Sequence, residues 1–272
     1  MDFVFDRIAV PFLMRPGLCR LADGTPQLTP LDPASALHAE KRLVFEAGQS
    51  RYALPGFDAT AAIDSIAERA QPMGAGISVD PDLPLELAFQ EDFAVLDGAT
   101  GTLPWFCVCV PSHWAPEEKL GLDFMALHGP VADNTVLLAA SRQLVRLVTA
   151  GGCWERFVWT LTPSPRHDQH PRRHQRAAWP ATADAQAFAS QCFFRAERQT
   201  FFPVRRGTRQ AVFTIRVMLE PLTQVVDGPD KAQRLFDSLA SMSDAVLDYK
   251  GLAAAKAQLL RWLATQFEAQ PI

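Results

Sequence analysis

The stretch LPWFCVCVPSHWAPEEKLGLDFMALHGPVADN, residues 103–134, gathers side chains that bind transition metals. Cys107, Cys109, His113 and His128 supply soft and borderline donors within an otherwise apolar, aromatic run. Cys107 and Cys109 are two apart on an expected strand, so they share a face. A thiolate there can ligate iron; the other reading is a pair of small buried hydrophobes. A C-x-C pair without a second pair does not meet the four-ligand pattern of structural zinc. His128 closes an expected helix four residues after Phe124, on its apolar side. One neutral imidazole nitrogen there can bind a metal, or the ring can simply interact with the helix dipole.

Two further clusters carry charge. His167, His170 and His174 lie in SPRHDQHPRRHQR, a loose imitation of a metal cluster. Four arginines accompany them, and Pro171 breaks any helix that would align the rings, so a solvated loop is expected. Farther on, Arg195, Arg198, Arg205, Arg206, Arg209 and Arg216 occur with one acid, Glu197. Strand alternation puts Arg195 and Glu197 on one face and Arg198 on the other. Arginine forks grip carboxylates or phosphates, so one reading is an anionic ligand; the other is an edge strand kept soluble by charge. Phe193, Phe194, Phe201 and Phe202 flank the charges, which suits a pocket with an apolar body and an anionic rim.

The elements that position these groups follow from punctuation and period. Residues 1–57 are rich in Pro and Gly and read as an extended lead-in. Asp58 caps a helix over 58–70, and residues 74–86 read as loop. Residues 87–98 fit helix or strand. A strand is expected over 103–110 and a helix from Pro116 to Leu127, stopped by Gly129-Pro130. Asp133 caps a longer helix ending at Gly151-Gly152. WERFVWTLT, residues 154–162, is a strand, and residues 163–181 form a polar loop. CFFRAERQTFF and AVFTIRVMLEPL are two antiparallel strands, with Gly207 in their connection. Helices over 230–245 and 252–268 close the chain. This order gives an α+β fold with an antiparallel sheet. The organisation is one domain over 1–272: lead-in 1–57, core 58–225 and C-terminal helices 226–272.

Composition narrows the function class. With 272 residues and 48% hydrophobic content the chain can bury a sizeable core. A net charge of −4 gives no global pull toward nucleic acid. No run of 18 apolar residues reads as a membrane span, and the start, with acids at positions 2 and 6, does not read as a secretory signal. Five cysteines at uneven spacing form no disulfide framework, so reduced thiols and a cytoplasmic location are expected. Neither G-x-G-x-x-G, nor G-x-x-x-x-G-K-[ST], nor G-x-S-x-G occurs, which argues against nucleotide binding and a standard serine hydrolase.

Several blocks, in order, resemble the alpha subunit of heme-dependent oxidative N-demethylase. They are PFLMRPGLCRL, LTPLDP and EKRLVF; then QEDFAVLDG; then VCVPSHW, EEKLG and the His-x-Pro-Val string from His128; then FRAERQTFFPV and AVFTIRVMLEPL. Together they span roughly residues 8–222. The resemblance implies a PAS-type fold, a curved antiparallel sheet flanked by helices. It implies heme b in a pocket where a secondary amine such as dimethylamine is oxidised to the smaller amine and formaldehyde. It also implies partner subunits carrying flavin and an iron–sulfur centre, because this chain has neither a dinucleotide motif nor a cysteine set for a cluster.

Carried onto this sequence, the resemblance makes His128 the leading axial ligand, with Cys107, Cys109 and His113 as the competing choices. Arg195 and Arg198 fall in its Arg-x-Glu-Arg-Gln block and are assigned to heme propionates. Glu197 is assigned to the protonated amine, and Trp114 and Trp105 to the pocket wall. Three departures stand out. Val158 occupies the Asn position of an Arg-x-Asn-Trp block, Ala132 replaces the second proline of a Pro-Val-Pro string, and the His/Arg-rich loop has no counterpart. Two other readings stand beside the demethylase: a heme or small-ligand sensor on the same fold without turnover, and a non-heme hydrolase or transferase using Glu91, Asp92 and His113.

Overall fold

The structure, a computed structural model, describes residues 3, 5–70, 83–205 and 208–268. One seven-stranded sheet organises it. Its strands are β1 (Cys19–Arg20), β2 (Arg51–Ala53), β3 (Glu91–Asp97), β4 (Trp105–Cys107), β5 (Trp154–Thr162), β6 (Phe193–Pro203) and β7 (Gln210–Pro221). They run in the order β1-β5-β6-β7-β3-β4-β2, and every pairing is antiparallel. The fold is therefore α+β, with twelve α-helices among the described residues. None of these helices is long and apolar enough to cross a membrane.

The period-2 pattern divides the sheet into two faces. On one, Trp159, Leu161, Phe194, Ala196 and Met218 pack against the C-terminal helices through Leu235, Leu239, Leu259 and Trp262. The same face continues through Phe93, Val95, Trp105, Cys107 and Phe202 onto helix Thr60–Ala70. Fully buried side chains of this size contribute about 1.5–3 kcal/mol each. On the opposite face, Ala94, Leu96 and Phe106 pack on Val145 and Val148 of helix Ser141–Thr149, with Trp114, Phe124 and Leu127 around them. Helix Ala36–Glu46 adds Leu37 and Val44 beside Cys109, Ile215 and Val217.

Strands β5, β6 and β7 lie where alternation places them, and helix Thr60–Ala70 starts after Asp58, whose Oδ1 accepts from the Thr60 amide at 2.9 Å. Other expectations change. The lead-in contains helix Ala36–Glu46, capped by Ser35, whose hydroxyl accepts from the His38 amide at 3.1 Å. The ambiguous stretch resolves into a short helix, Leu85–Ala88, and β3; the expected loop before it lies outside the described residues up to residue 82. Pro116 to Leu127 is two helices, Pro116–Lys119 and Phe124–His128, because Gly121 takes φ 76 between them. The next helix also splits, into Thr135–Ala139 and Ser141–Thr149. Asp133 is not its cap: at φ 52 it turns its carboxylate to accept from Ser243 Oγ at 2.8 Å. The C-terminus holds helices Pro229–Ala240, Asp244–Lys250 and Lys256–Glu268, where Ser243 caps the second and Gly251, at φ 68, ends it. Gly207, expected in the β6–β7 turn, lies outside the described residues.

Candidate functional site

The second face of the sheet is only partly covered where β5, β6 and β7 run side by side. Register pairs Trp154 with Phe201, Arg156 with Gln199, Val158 with Glu197, and Phe201 with Phe213. Paired residues of antiparallel strands share a face, so these side chains line one recess. Phe201 and Phe213 stack at 4.6 Å to form its apolar end. Phe201, Phe213 and Trp154 pack with Val145 and Val148 of helix Ser141–Thr149, whereas Arg156, Val158 and Gln199 stay half-buried beside them.

Glu197 anchors the polar end. One carboxylate oxygen accepts from Ser112 Oγ and the other from Gln199 Nε2 at 2.7 Å. Ser112 Oγ in turn accepts from Arg195 Nε at 2.8 Å. The Arg195 guanidinium also donates to the carbonyls of Val110 at 3.1 Å and Arg166 at 3.3 Å. Burial pushes its pKa down to about 10, against the pull of Glu197. Arg195 is therefore a brace that holds the 108–114 segment onto β6, and its donors are largely spent. Glu197 keeps acceptor capacity, since a carboxylate offers about four lone-pair sites.

His128 stands on the recess wall. Its ring stacks on Phe124 at 4.0 Å, and Nδ1 lies 2.8 Å from the Phe124 carbonyl oxygen. A carbonyl only accepts, so Nδ1 carries the hydrogen and Nε2 keeps a lone pair. Nε2 makes no hydrogen bond among the described residues. Asn134 Nδ2 donates to the His128 and Gly129 carbonyls at 3.0 and 2.9 Å, which satisfies the end of this short helix. Burial lowers the His128 pKa from 6.5; the Phe124 hydrogen bond opposes this, and Arg156 and Lys119 reinforce it. A lowered folded pKa means the ring stays neutral below pH 6.5 while the unfolded chain takes up the proton, so the stability tied to the neutral ring is lost progressively from about pH 6.5 down through the folded pKa. Ligand uptake through Nε2 should then have its acid midpoint below pH 6.5, as measured by absorbance titration; a midpoint above it would exclude His128.

Arg156 is the unexpected member. Its Nε is buried and finds no acceptor among the described residues, and no carboxylate there lies within ion-pair distance. Burial lowers its pKa, with Glu197 and then Tyr249 opposing. Trp154 Nε1, on the same face of β5, is a second buried donor without an acceptor. His113 sits nearby at φ 59, an uncommon conformation for a residue with a Cβ and one that often marks a functional loop. It remains open to solvent on one side, yet crowding and the charges of Arg176 and Arg195 push its pKa down to about 4.

Several residues assigned from the sequence lie elsewhere. Cys107 and Trp105 point to the opposite face, where burial raises the Cys107 thiol well above its ordinary range. Cys109 is also fully buried, and burial followed by the Asp92 charge raises its thiol. Both sit as small buried hydrophobes, and Cys107 lies on the face away from Glu197. Arg198 faces away from Glu197: its Nε donates to Glu155 Oε2 at 2.6 Å and its Nη2 to the Pro26 carbonyl at 3.0 Å. Arg195 and Arg198 cannot grip one ligand from the same side. Glu91 and Asp92 are buried on opposite faces, and Asp92 is paired with Lys41, which leaves the hydrolase reading no exposed carboxylate dyad.

The His/Arg-rich loop is exposed at Arg166, Arg172 and Arg176, as a solvated loop should be, but acids anchor it. Asp168 is 1% exposed and accepts from Arg173 at 2.8 Å and His174 at 3.0 Å. Glu40 accepts from the His167 amide, and Glu117 lies 3.1 Å from His170 Nε2. Its histidines thus pair with acids, and no group of three potential metal ligands occurs among the described residues. A separate cleft of about 330 Å³ runs along the β7 edge beside Ser35, His167 and Arg216. It contains none of His128, Arg156 or Glu197; the buried side-chain nitrogens without an acceptor among the described residues, Arg156 Nε and Trp154 Nε1, lie on the recess face instead.

The residues present fit a heme group. His128 offers an open nitrogen with its tautomer set, Phe201, Phe213, Phe124 and Trp154 offer apolar surface, and Arg156 offers an unspent cation. A family model described as haem-dependent oxidative N-demethylase, alpha subunit-like, matches residues 69–260. The chain belongs to this family. The matched span contains every recess residue named above, whereas the blocks PFLMRPGLCRL, LTPLDP and EKRLVF precede it. Within this N-demethylase alpha subunit-like family, the name carries heme dependence, oxidative N-demethylation and assembly with other subunits. Sequence reasoning missed Ser112, Arg156 and Gln199. Arg156 stands at the Arg position of the Arg-x-Asn-Trp block, yet its neighbours depend on the pairing of β5 with β6.

Proposed function

We propose that the recess holds heme b through His128 Nε2 and that the chain is the catalytic subunit of an oxygen-dependent oxidative N-demethylase. The observation that carries this reading is His128 itself: Nδ1 committed to the Phe124 carbonyl, Nε2 open, on the recess that also holds Glu197. Bound heme supplies dioxygen activation. With two electrons and two protons, an N-methyl amine and O2 give the demethylated amine, formaldehyde and water. Flavin- and iron–sulfur-bearing partner subunits fit the role of electron donor, since this sequence carries neither a dinucleotide motif nor a cysteine set for a cluster. The seven-stranded antiparallel sheet with helices on both faces supports a PAS-like fold, with residues 1–272 acting as one domain.

Glu197 holds the amine. Ser112 and Gln199 fix its carboxylate, and its remaining lone pairs accept from a protonated secondary amine such as dimethylammonium. Trp114, packed on Phe106 at 5.9 Å, supplies apolar wall. In Glu197→Gln protein the charge is lost while the shape is kept. Amine-induced shifts of the heme absorbance should then need roughly tenfold to a hundredfold more amine, the value of a charge-assisted hydrogen bond. Unchanged amine affinity would remove Glu197 from the pocket.

One observation favours the alternative, a heme or small-ligand sensor without turnover. Val158 pairs directly with Glu197, so the apolar departure from the Asn position lies beside the proposed amine site. Formaldehyde released from dimethylamine under a chemical reductant and O2 separates the two readings.

A further inference from the structure

We propose that Arg156 is a carboxylate-binding residue, and that the acid group of a ligand seated in the recess docks on its guanidinium beside Glu197. The inference deepens the heme reading of the same recess, and one of its two ligand sources rests on that reading.

The argument begins with what other buried cations do. Lys41 Nζ donates to the carbonyls of Phe89 and Glu91 at 2.9 and 2.8 Å. Arg173 holds both oxygens of Asp168 and the Cys109 carbonyl. Arg195 meets a hydroxyl and two carbonyls. Arg156 alone among these leaves its Nε buried without an acceptor, although a guanidinium is charged at any pH a protein survives. Arg156 as a whole is only half-buried, so a ligand can reach it, and an acceptor brought to the buried Nε–H removes the cost of an unmet donor.

Local charge points the same way. Glu197 is the acid that acts most strongly on Arg156, but the two make no ion pair, and Glu197 instead accepts from Ser112 and Gln199. Lys250, within electrostatic reach of both, gives its Nζ to the Trp159 carbonyl at 2.7 Å. Arg156 and Arg195 share this face of the sheet with one carboxylate, Glu197, and leave it a surplus of positive charge. The orphaned Trp154 Nε1 lies two residues before Arg156 on the same strand face and adds a neutral donor. One guanidinium fork with one neutral donor, near a fixed carboxylate, suits a planar monoanion better than a dianionic phosphate. That carboxylate can come from a porphyrin propionate or from an acid group on the amine substrate. In the second case the substrate is an N-methylated amino acid rather than a simple dialkylamine.

The test uses pairs of ligands that differ only in the acid. Wild-type protein is titrated with heme and with heme dimethyl ester, followed by Soret absorbance. Heme-free and heme-loaded protein are titrated with N-methylglycine and with its methyl ester, followed by calorimetry. The acid should bind about tenfold to a hundredfold more tightly than the ester in at least one pair. That gap should close in Arg156→Gln and reopen in part in Arg156→Lys. A gap in the heme pair assigns the propionate; a gap in the amino-acid pair assigns the substrate. No heme uptake by wild type, with a gap in the amino-acid pair, would sink the heme reading and keep Arg156 as the acid site. No gap in either wild-type pair, including no binding at all, overturns the proposal. So does a gap that survives in folded Arg156→Gln protein. If Arg156→Gln does not fold, the wild-type pairs and Arg156→Lys still decide.

Discussion

His128→Ala protein expressed with heme supply should show no Soret band, where wild type shows one. The loss should be at least about a hundredfold in heme affinity, since even outer partners of metal ligands are worth 10–100-fold. The substitution should leave the fold intact. Its helix has only five residues and is held from both ends: Asp123 Oδ1 accepts from the Ala126 amide at 2.8 Å, and Asn134 caps the C-terminal carbonyls. The His128 ring itself contributes mainly its stacking on Phe124. An unchanged melting curve together with a missing band therefore assigns the ligand. A band that survives His128→Ala moves the assignment to His113, the other neutral imidazole at the recess, because Cys107 and Cys109 sit as small buried hydrophobes. A wild type that takes up no heme leaves the family fold without the family's cofactor.

Asp92→Ala should cost about 3–5 kcal/mol of stability, a large part of the 5–15 kcal/mol typical of a domain. Lys41 is fully buried, with its Nζ 3.2 Å from Asp92 Oδ1. The contact is an ion pair by distance, although Oδ1 does not meet hydrogen-bond geometry. Burial pulls the Lys41 pKa down, but Asp92 and the neighbouring groups outweigh it and the net direction is up, so the ammonium stays charged. Removing Asp92 strands that charge among carbonyls. It also removes the acceptor of the Val110 amide at 2.8 Å, which ties the Ser112–Trp114 segment to β3. Urea denaturation measures the loss. Lys41→Met combined with Asp92→Leu should recover much of it, because no charge is then left unpaired. A loss below about 1 kcal/mol for Asp92→Ala would mean that water reaches Lys41.

Much of the scaffold was legible along the chain. The alternation in WERFVWTLT and FRAERQTFF placed β5 and β6 and separated Arg195 and Glu197 from Arg198, as the hydrogen bonds of Arg198 to Glu155 and of Ser112 to Glu197 confirm. His128 at the end of a short apolar segment was equally local. What was misread depended on distance. The anchoring of the loop at 163–181 was hidden because its acids, Glu40 and Glu117, come from far away in sequence. The helix from Pro116 and the one after Asp133 looked continuous because a glycine at φ 76 and a turn at Ala140 interrupt them without a strong period change.

By itself, then, the sequence determined the α+β class, the long strands, the ordered family blocks and the identity of the residues able to do chemistry. These rest on local rules: side-chain period, punctuation by Gly and Pro, and motif order. Tertiary structure alone decided which of those residues meet. The β5–β6 register sets Val158 against Glu197 and Arg156 against Gln199, and the fold of the 108–114 segment spends Arg195 on Ser112 while sending Cys107 to the far side. Register and burial are long-range properties, and a one-residue slip would exchange the faces. That is why the unspent cation of the recess proved to be Arg156 rather than either arginine of the Arg-x-Glu-Arg block.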